Sequence, residues 1–249
     1  MAERILIVAP SWVGDAILSE PLVSLLREPM EPAQFIPIAE ESGLILPIGR
    51  WALDEACRQA RAWQDAGVAA IPVAINISAV ELRAKDFLVN VRQILDASGL
   101  NPHLLEIELT ETFMMQDWKS TAEILRALKS LGVRIALDDF GTGYSSLSHM
   151  KRFPIDALKI DQSFVRDMTT DADDASIVSA VINMGRSLHM RVVAEGIQTH
   201  DQFVFLKERQ CPEGQGYYFG PPLPAAQIAP LLRRGEIEIS RTAAPINAG

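Results

Sequence analysis

The chain predicts an α/β fold with a parallel sheet, and its length and pattern favour a (β/α) barrel. Three observations carry that expectation. Short apolar runs rich in β-branched residues recur along the 249 residues, and longer segments with apolar positions at i, i+3 and i+4 separate them. Alternation of this kind implies parallel strands joined by crossover helices. The strand runs also end, one after another, on a polar side chain. An open doubly wound sheet remains the structural alternative, since the same alternation serves both.

In chain order, "RILIVA" (4–9) is the first strand candidate. A strong amphipathic helix follows in "IGRWALDEACRQARAWQDAG" (48–67), closed by a glycine, the residue that tolerates the left-handed turn at a helix end. Further strand runs are "PVAINIS" (72–78), "LLEIEL" (104–109), "VRIALDD" (133–139), "ALKID" (157–161), "RVVAE" (191–195) and "GQGYYFG" (214–220). The clearest intervening helices are "STAEILRALKSLG" (120–132) and "DASIVSAVINMGRSL" (174–188). The last residues, "ISRTAAPINAG", lack periodicity and read as a loose tail.

Composition narrows the function. A formal net charge of −9 argues against a nucleic-acid polymer or an anionic membrane face as partner, but leaves room for a small anion held through metal ions. Cys57 and Cys211 are far apart and form no CxxC pair, so a disulfide framework is not expected. His103, His149, His189 and His200 lack zinc spacing. No stretch is long and apolar enough for a membrane span or a signal peptide, so a cytoplasmic protein is expected.

The chemistry lies at the strand ends. Asn76 closes "VAIN", Glu108 closes "LEIE" with Glu111 just after, and Asp138 and Asp139 close "RIALDD". Lys159 lies in "ALKID", Glu195 ends "VVAE", and Gln215 opens "QGYYFG". A single acid at a strand end usually caps a helix or makes a turn. A run of strands ending this way instead brings carboxylates, an amide oxygen and an ammonium to one barrel rim, where active sites are built. Oxygen donors suit hard cations such as magnesium or manganese (Mg2+ or Mn2+). Two such ions can activate water for in-line displacement at phosphorus, and a lysine can hold that water or a phosphate oxygen. The residues alone therefore point to metal-dependent phosphodiester hydrolysis.

Residues from about 31 to 233 resemble the EAL family of cyclic di-GMP phosphodiesterases. The resemblance rests on "PAQFIPIAEESGLILPIGRW", "INIS", "EIELTET", "ALDDFGTGYSSLSHMKRFPIDALKIDQSFV", "VVAEGIQT" and "QGYYFGPPLP". It implies a TIM-like barrel, magnesium or manganese, and hydrolysis of cyclic di-GMP to linear pGpG. It assigns Asn76, Glu108, Asp138 and Asp139 as metal ligands, puts Glu195 in the same network, and has Lys159 orient the nucleophilic water. Glu111 and "DFGTGYSSL" would form a loop linking the metal site to a homodimer contact through 140–152, and Gln215 would help place the site. The resemblance also exposes departures. The family's usual "EGVE" glutamate is Gln198 here, and Val80 and Glu81 stand where Arg-Gln often follows "NLSA".

The largest departure is at the front. No Glu-Ala-Leu triplet precedes residue 31, and Glu20-Pro21-Leu22 lies too close to "PAQF" to replace it. Residues 4–28, "RILIVAPSWVGDAILSEPLVSLLRE", resemble instead the opening strand and helix of lipopolysaccharide heptosyltransferases. The expected organisation is a heptosyltransferase-like segment at 1–30, an EAL-like barrel at 31–236 lacking its first two strands, and a tail at 237–249. Strand 4–9 is expected to fill one vacated position, with helix 15–27 outside it. Two functions remain open: a phosphodiesterase impaired by loss of the EAL glutamate, or an inactive module that binds cyclic di-GMP or a protein partner.

Overall fold

The computed structural model describes residues 32–68, 70–111, 118–141 and 152–234. Residues 1–31, with the strand and helix expected there, lie outside these, as do most of the 140–152 loop and the C-terminal tail. Two helices open the described chain, α1 (Pro32–Ser42) and α2 (Ile45–Asp65). Then come β1 (Val73–Asn76), α3 (Ala79–Leu82), α4 (Phe87–Ser98), a 3-10 turn (Pro102–Leu104) and β2 (Leu105–Thr110). The helix α5 (Trp118–Leu131) leads to β3 (Arg134–Phe140) and β4 (Ala157–Ile160). The remaining elements are α6 (Gln162–Asp167), α7 (Ala172–Leu188), β5 (Arg191–Ala194), α8 (His200–Glu208), β6 (Glu213–Gly214) and α9 (Ala225–Arg234).

The six strands form one parallel sheet in the order β1-β2-β3-β4-β5-β6, each paired with its neighbour in sequence. Among the described residues the two edges do not meet, so the architecture is a TIM-like barrel left open. One sheet face is wholly apolar: Ile75, Ile107, Leu109, Ile135, Leu137, Leu158, Ile160 and Val192 are all buried in the continuous core. That face takes the helices. Helix α2 turns Leu53, Ala56, Cys57, Ala60 and Trp63 inward at helical spacing. Burial there pushes the Cys57 thiol up to about 12, with Asp54 adding to it, so this cysteine is inert packing.

Local chemistry sets the element ends. Ser78 and Glu81 form a capping box that starts α3 directly after β1. Thr199 and Gln202 form another at α8. One expectation is corrected. "GQGYYFG" (214–220) is not a strand: β6 is only Glu213–Gly214, and residues 217–219 turn. The cause is close backbone approach. A side chain on Gly216 would meet the Ile197 oxygen at 2.2 Å, and the turn is held by Tyr218 N donating to Ile197 O at 2.9 Å and Phe219 N to Gly216 O at 3.1 Å.

Candidate metal centre

Strand register alone assembles the site. Asn76 pairs with Glu108, Glu108 with Ala136, and Ala136 with Ala157. Lys159 pairs with Val193, and Val193 with Glu213. Side chains alternate along each strand, so Asn76, Glu108, Asp138, Lys159, Glu195 and Gln215 share the face opposite the apolar one. That face is the barrel interior, and these residues sit at its C-terminal rim.

Asp139 should point the other way by this rule. It does not, because β3 changes register between Leu137 and Phe140 and Asp139 adopts φ of 53°. An irregularity of this kind re-aims a side chain, and aspartate tolerates the left-handed region better than most residues. Oxygens of Asp138, Asp139 and Glu195 consequently lie within 4.8 Å of one another, a spacing that fits a shared cation.

Lys159 stands at the centre, only 1% exposed. Its ammonium donates to Glu108 Oε2 at 2.7 Å and to Asp138 Oδ2 at 3.1 Å, and Glu195 Oε1 lies 2.7 Å away as an ion-pair partner. Burial opposes its charge, but Glu108, Glu195 and Asp138 together raise its pKa above the usual lysine range. The carboxylates are less well served. Burial pushes Glu108 up to about 8 and Glu195 up to about 7, with Lys159 opposing both shifts. Burial also lifts Asp139 to about 6, helped by the charge of Asp138.

Four carboxylates face one ammonium, which leaves an excess of negative charge. Gln215, also buried, has an Oε1 with no hydrogen-bond partner among the described residues. Uncompensated carboxylates plus an orphaned oxygen donor fit a divalent cation of the magnesium or manganese kind. Deeper in the barrel, Arg191 pairs with Glu106 and, at 2.9 Å, with Glu213. That lower tier is a pairing of structural charges beneath the site.

The remaining expected residues fall around this cluster. Asn76 is exposed at the end of β1, level with Glu108. Glu111 is buried, and its Oε2 accepts from Gly141 N at 3.1 Å, so it braces the chain entering the loop after β3. Asp161 was not singled out in the sequence, because an aspartate ahead of a helix reads as a cap. It does cap α6, accepting from Ser163 N at 2.8 Å, but it also hydrogen bonds with Asp139 and raises that carboxyl further.

A barrel rim of carboxylates around a buried lysine suits a divalent cation, and comparison with known proteins places the chain in a family. The sequence profile of the EAL domain matches residues 23–222, so the chain belongs to the EAL domain family. It is 46% identical over 197 residues to the bifunctional diguanylate cyclase/cyclic di-GMP phosphodiesterase MucR of Pseudomonas aeruginosa, covering 79% of this chain and 29% of that protein. It is 42% identical over 202 residues to the cyclic di-GMP phosphodiesterase NbdA of the same organism, covering 81% and 26%. The chain thus spans under a third of the length of these relatives. Among solved structures, the PaMucR phosphodiesterase in complex with c-di-GMP matches with a TM-score of 0.78 and 45% identity, over 80% of this chain and 81% of that one. The EAL domain of Mycobacterium smegmatis DcpA matches with a TM-score of 0.73 and 37% identity, over 76% and 86%.

Proposed function

We propose that this chain hydrolyses cyclic di-GMP to linear pGpG with magnesium or manganese, at a rate reduced by the missing EAL glutamate. The observation that carries the reading is the convergence of Asp138, Asp139 and Glu195 within 4.8 Å beside a lysine already saturated with carboxylates. The phosphodiesterase relatives and the c-di-GMP complex of a structural neighbour support the choice of substrate.

Asn76, Glu108, Asp138 and Asp139 would hold the ions, with Glu195 in the same network. When bound, the metal stabilises developing charge at phosphorus and makes water a nucleophile near neutral pH. Lys159 contacts the carboxylates of Glu108, Asp138 and Glu195 and would orient the attacking water through its ammonium. Glu111 accepts from Gly141 N and so fixes the backbone there, and Gln215, buried after β6, would help place the site. Loss of an inner-sphere carboxylate should hurt more than the roughly 10–100-fold typical of outer-shell changes.

A second reading is a module that binds cyclic di-GMP, or a partner, without turnover. The sequence observation favouring it is the lack of a Glu-Ala-Leu triplet before residue 31. Incubation of purified chain with cyclic di-GMP and manganese, with chromatographic detection of pGpG, tests the proposal. Slow conversion that Asp138→Asn abolishes supports it. Nucleotide binding with no conversion supports the second reading, and neither binding nor conversion overturns both.

A further inference from the structure

A cavity of about 240 Å3 lies where α2 meets α3 and α4. Leu53, Ile77 and Phe87 form its floor, and all three belong to the apolar core. Ile77 keeps the parity of Ile75, so the cavity sits on the helix side of the sheet, across β1 from Asn76. One charged group is buried against it. Glu81 lines the cavity and is only 6% exposed. Its role as a cap uses one oxygen, Oε2, which accepts from Ser78 N at 2.9 Å. Oε1 lies on the side of Gly49, where any side chain would collide with it, so the glycine leaves the carboxylate its place at the cavity wall.

No cation meets this carboxylate. Glu106 has Arg191 and Glu108 has Lys159, but among the described residues Glu81 forms no ion pair. A carboxylate taken out of water is costly unless a cation or enough donors reach it. Burial holds the Glu81 carboxyl above its usual range; Ser78 opposes the shift and Glu40 adds to it.

We infer that this cavity binds a small organic cation, with its ammonium against Glu81 and a short apolar body on Leu53, Ile77 and Phe87. The volume is below the roughly 300–1,000 Å3 of drug-sized sites, which suits a short body. A metal ion fits less well, because the floor is apolar and hard cations take six or more oxygens or their own waters. Asp86 stands exposed on the same cavity and accepts from Asn90 Nδ2 at 3.1 Å, adding a second negative charge. Arg50 also lines the cavity and opposes a cation, but it is exposed, and a long side chain of this kind carries its charge into water. None of the rim residues lines this cavity, so the inference stands apart from the hydrolysis proposed above.

Methyl NMR titration of the full chain with three probes of equal length tests it: hexylammonium, 1-hexanol and hexanoate. Hexylammonium should shift the Leu53 and Ile77 methyls saturably, 1-hexanol should bind roughly tenfold or more weakly, and hexanoate should leave both methyls unmoved. Glu81→Gln keeps an acceptor for Ser78 N and removes the charge. It should weaken hexylammonium roughly tenfold or more and leave 1-hexanol unchanged. Ala84→Leu fills the cavity while sparing Glu81, and it should weaken both. Unmoved Leu53 and Ile77 methyls in the native chain, or shifts confined to the rim strands, overturn the site. Hexanol or hexanoate binding as tightly as hexylammonium, or hexylammonium binding unchanged in folded Glu81→Gln, overturns the assignment to a cation.

Discussion

Lys159 is the residue on which the cluster depends without metal, because it is the cation contacting Glu108, Asp138 and Glu195. Lys159→Met keeps much of the volume and removes the charge. Breaking a buried pair by deleting one partner typically costs about 3–5 kcal/mol, so urea denaturation of the metal-free variant should show a loss of that order near neutral pH. Added manganese should recover part of it. The acids predict the pH dependence. Glu108 moves from 4.5 to about 8, Glu195 from 4.5 to about 7, and Asp139 from 3.8 to about 6. Across that window the folded chain binds more protons than the unfolded one, so the stability these groups contribute is full below about 4 and is lost as pH rises through about 8. Lys159, shifted upward, keeps its contribution through neutral pH. Urea midpoints of the metal-free chain should therefore fall from pH 5 to 8 relative to Glu108→Gln, which flattens the upper part of the slope. With saturating manganese the slope should reverse, because the ionised carboxylates are the ones that bind.

At the scale of elements, helix and strand positions decide what the rim presents. Helix α7 lies against β5 closely enough that a side chain on Gly185 would meet Val192 Cγ2 at 2.2 Å. Glycine to alanine inside an exposed helix usually stabilises by up to about 1 kcal/mol. Here overpacking, typically about 1–3 kcal/mol, should win, and Gly185→Ala should lower the thermal midpoint. The elements also show what the sequence could convey. Apolar runs located β1 to β5, and their polar ends marked Asn76, Glu108, Asp138, Lys159 and Glu195, which parity within a strand puts on one face; Gln215 was read as opening a strand but follows β6. Asp139 was singled out beside Asp138 at the end of the same run, but its orientation depends on a register change and a left-handed φ that no period-two pattern contains. "GQGYYFG" misled because aromatic residues favour strands, while the turn arises from Gly216 meeting the Ile197 backbone, a contact distant in sequence. Asp161 was hidden for a related reason: its capping role is local, and its contact with Asp139 is tertiary.

Across the whole molecule, the described part of this EAL-family chain carries a polar rim around Lys159, and no Glu-Ala-Leu triplet precedes residue 31 in the sequence. Remaining carboxylates should still take up manganese, so the thermal midpoint should rise with metal concentration, and Asp138→Asn combined with Asp139→Asn should remove most of that rise. Holding an ion is a weaker demand than fixing the water and both phosphate oxygens in line, and turnover depends on the latter. The most direct measurement is the rate of pGpG formation at saturating manganese for the native chain, for Glu20→Ala, and for a chain whose first 30 residues are replaced by an EAL-bearing strand pair. Slow native turnover, little change in Glu20→Ala, and a gain of well over tenfold in the graft are the predicted results. Turnover in the native chain equal to that of a complete EAL domain, lost on Glu20→Ala, would contradict the account and make Glu20 a working ligand.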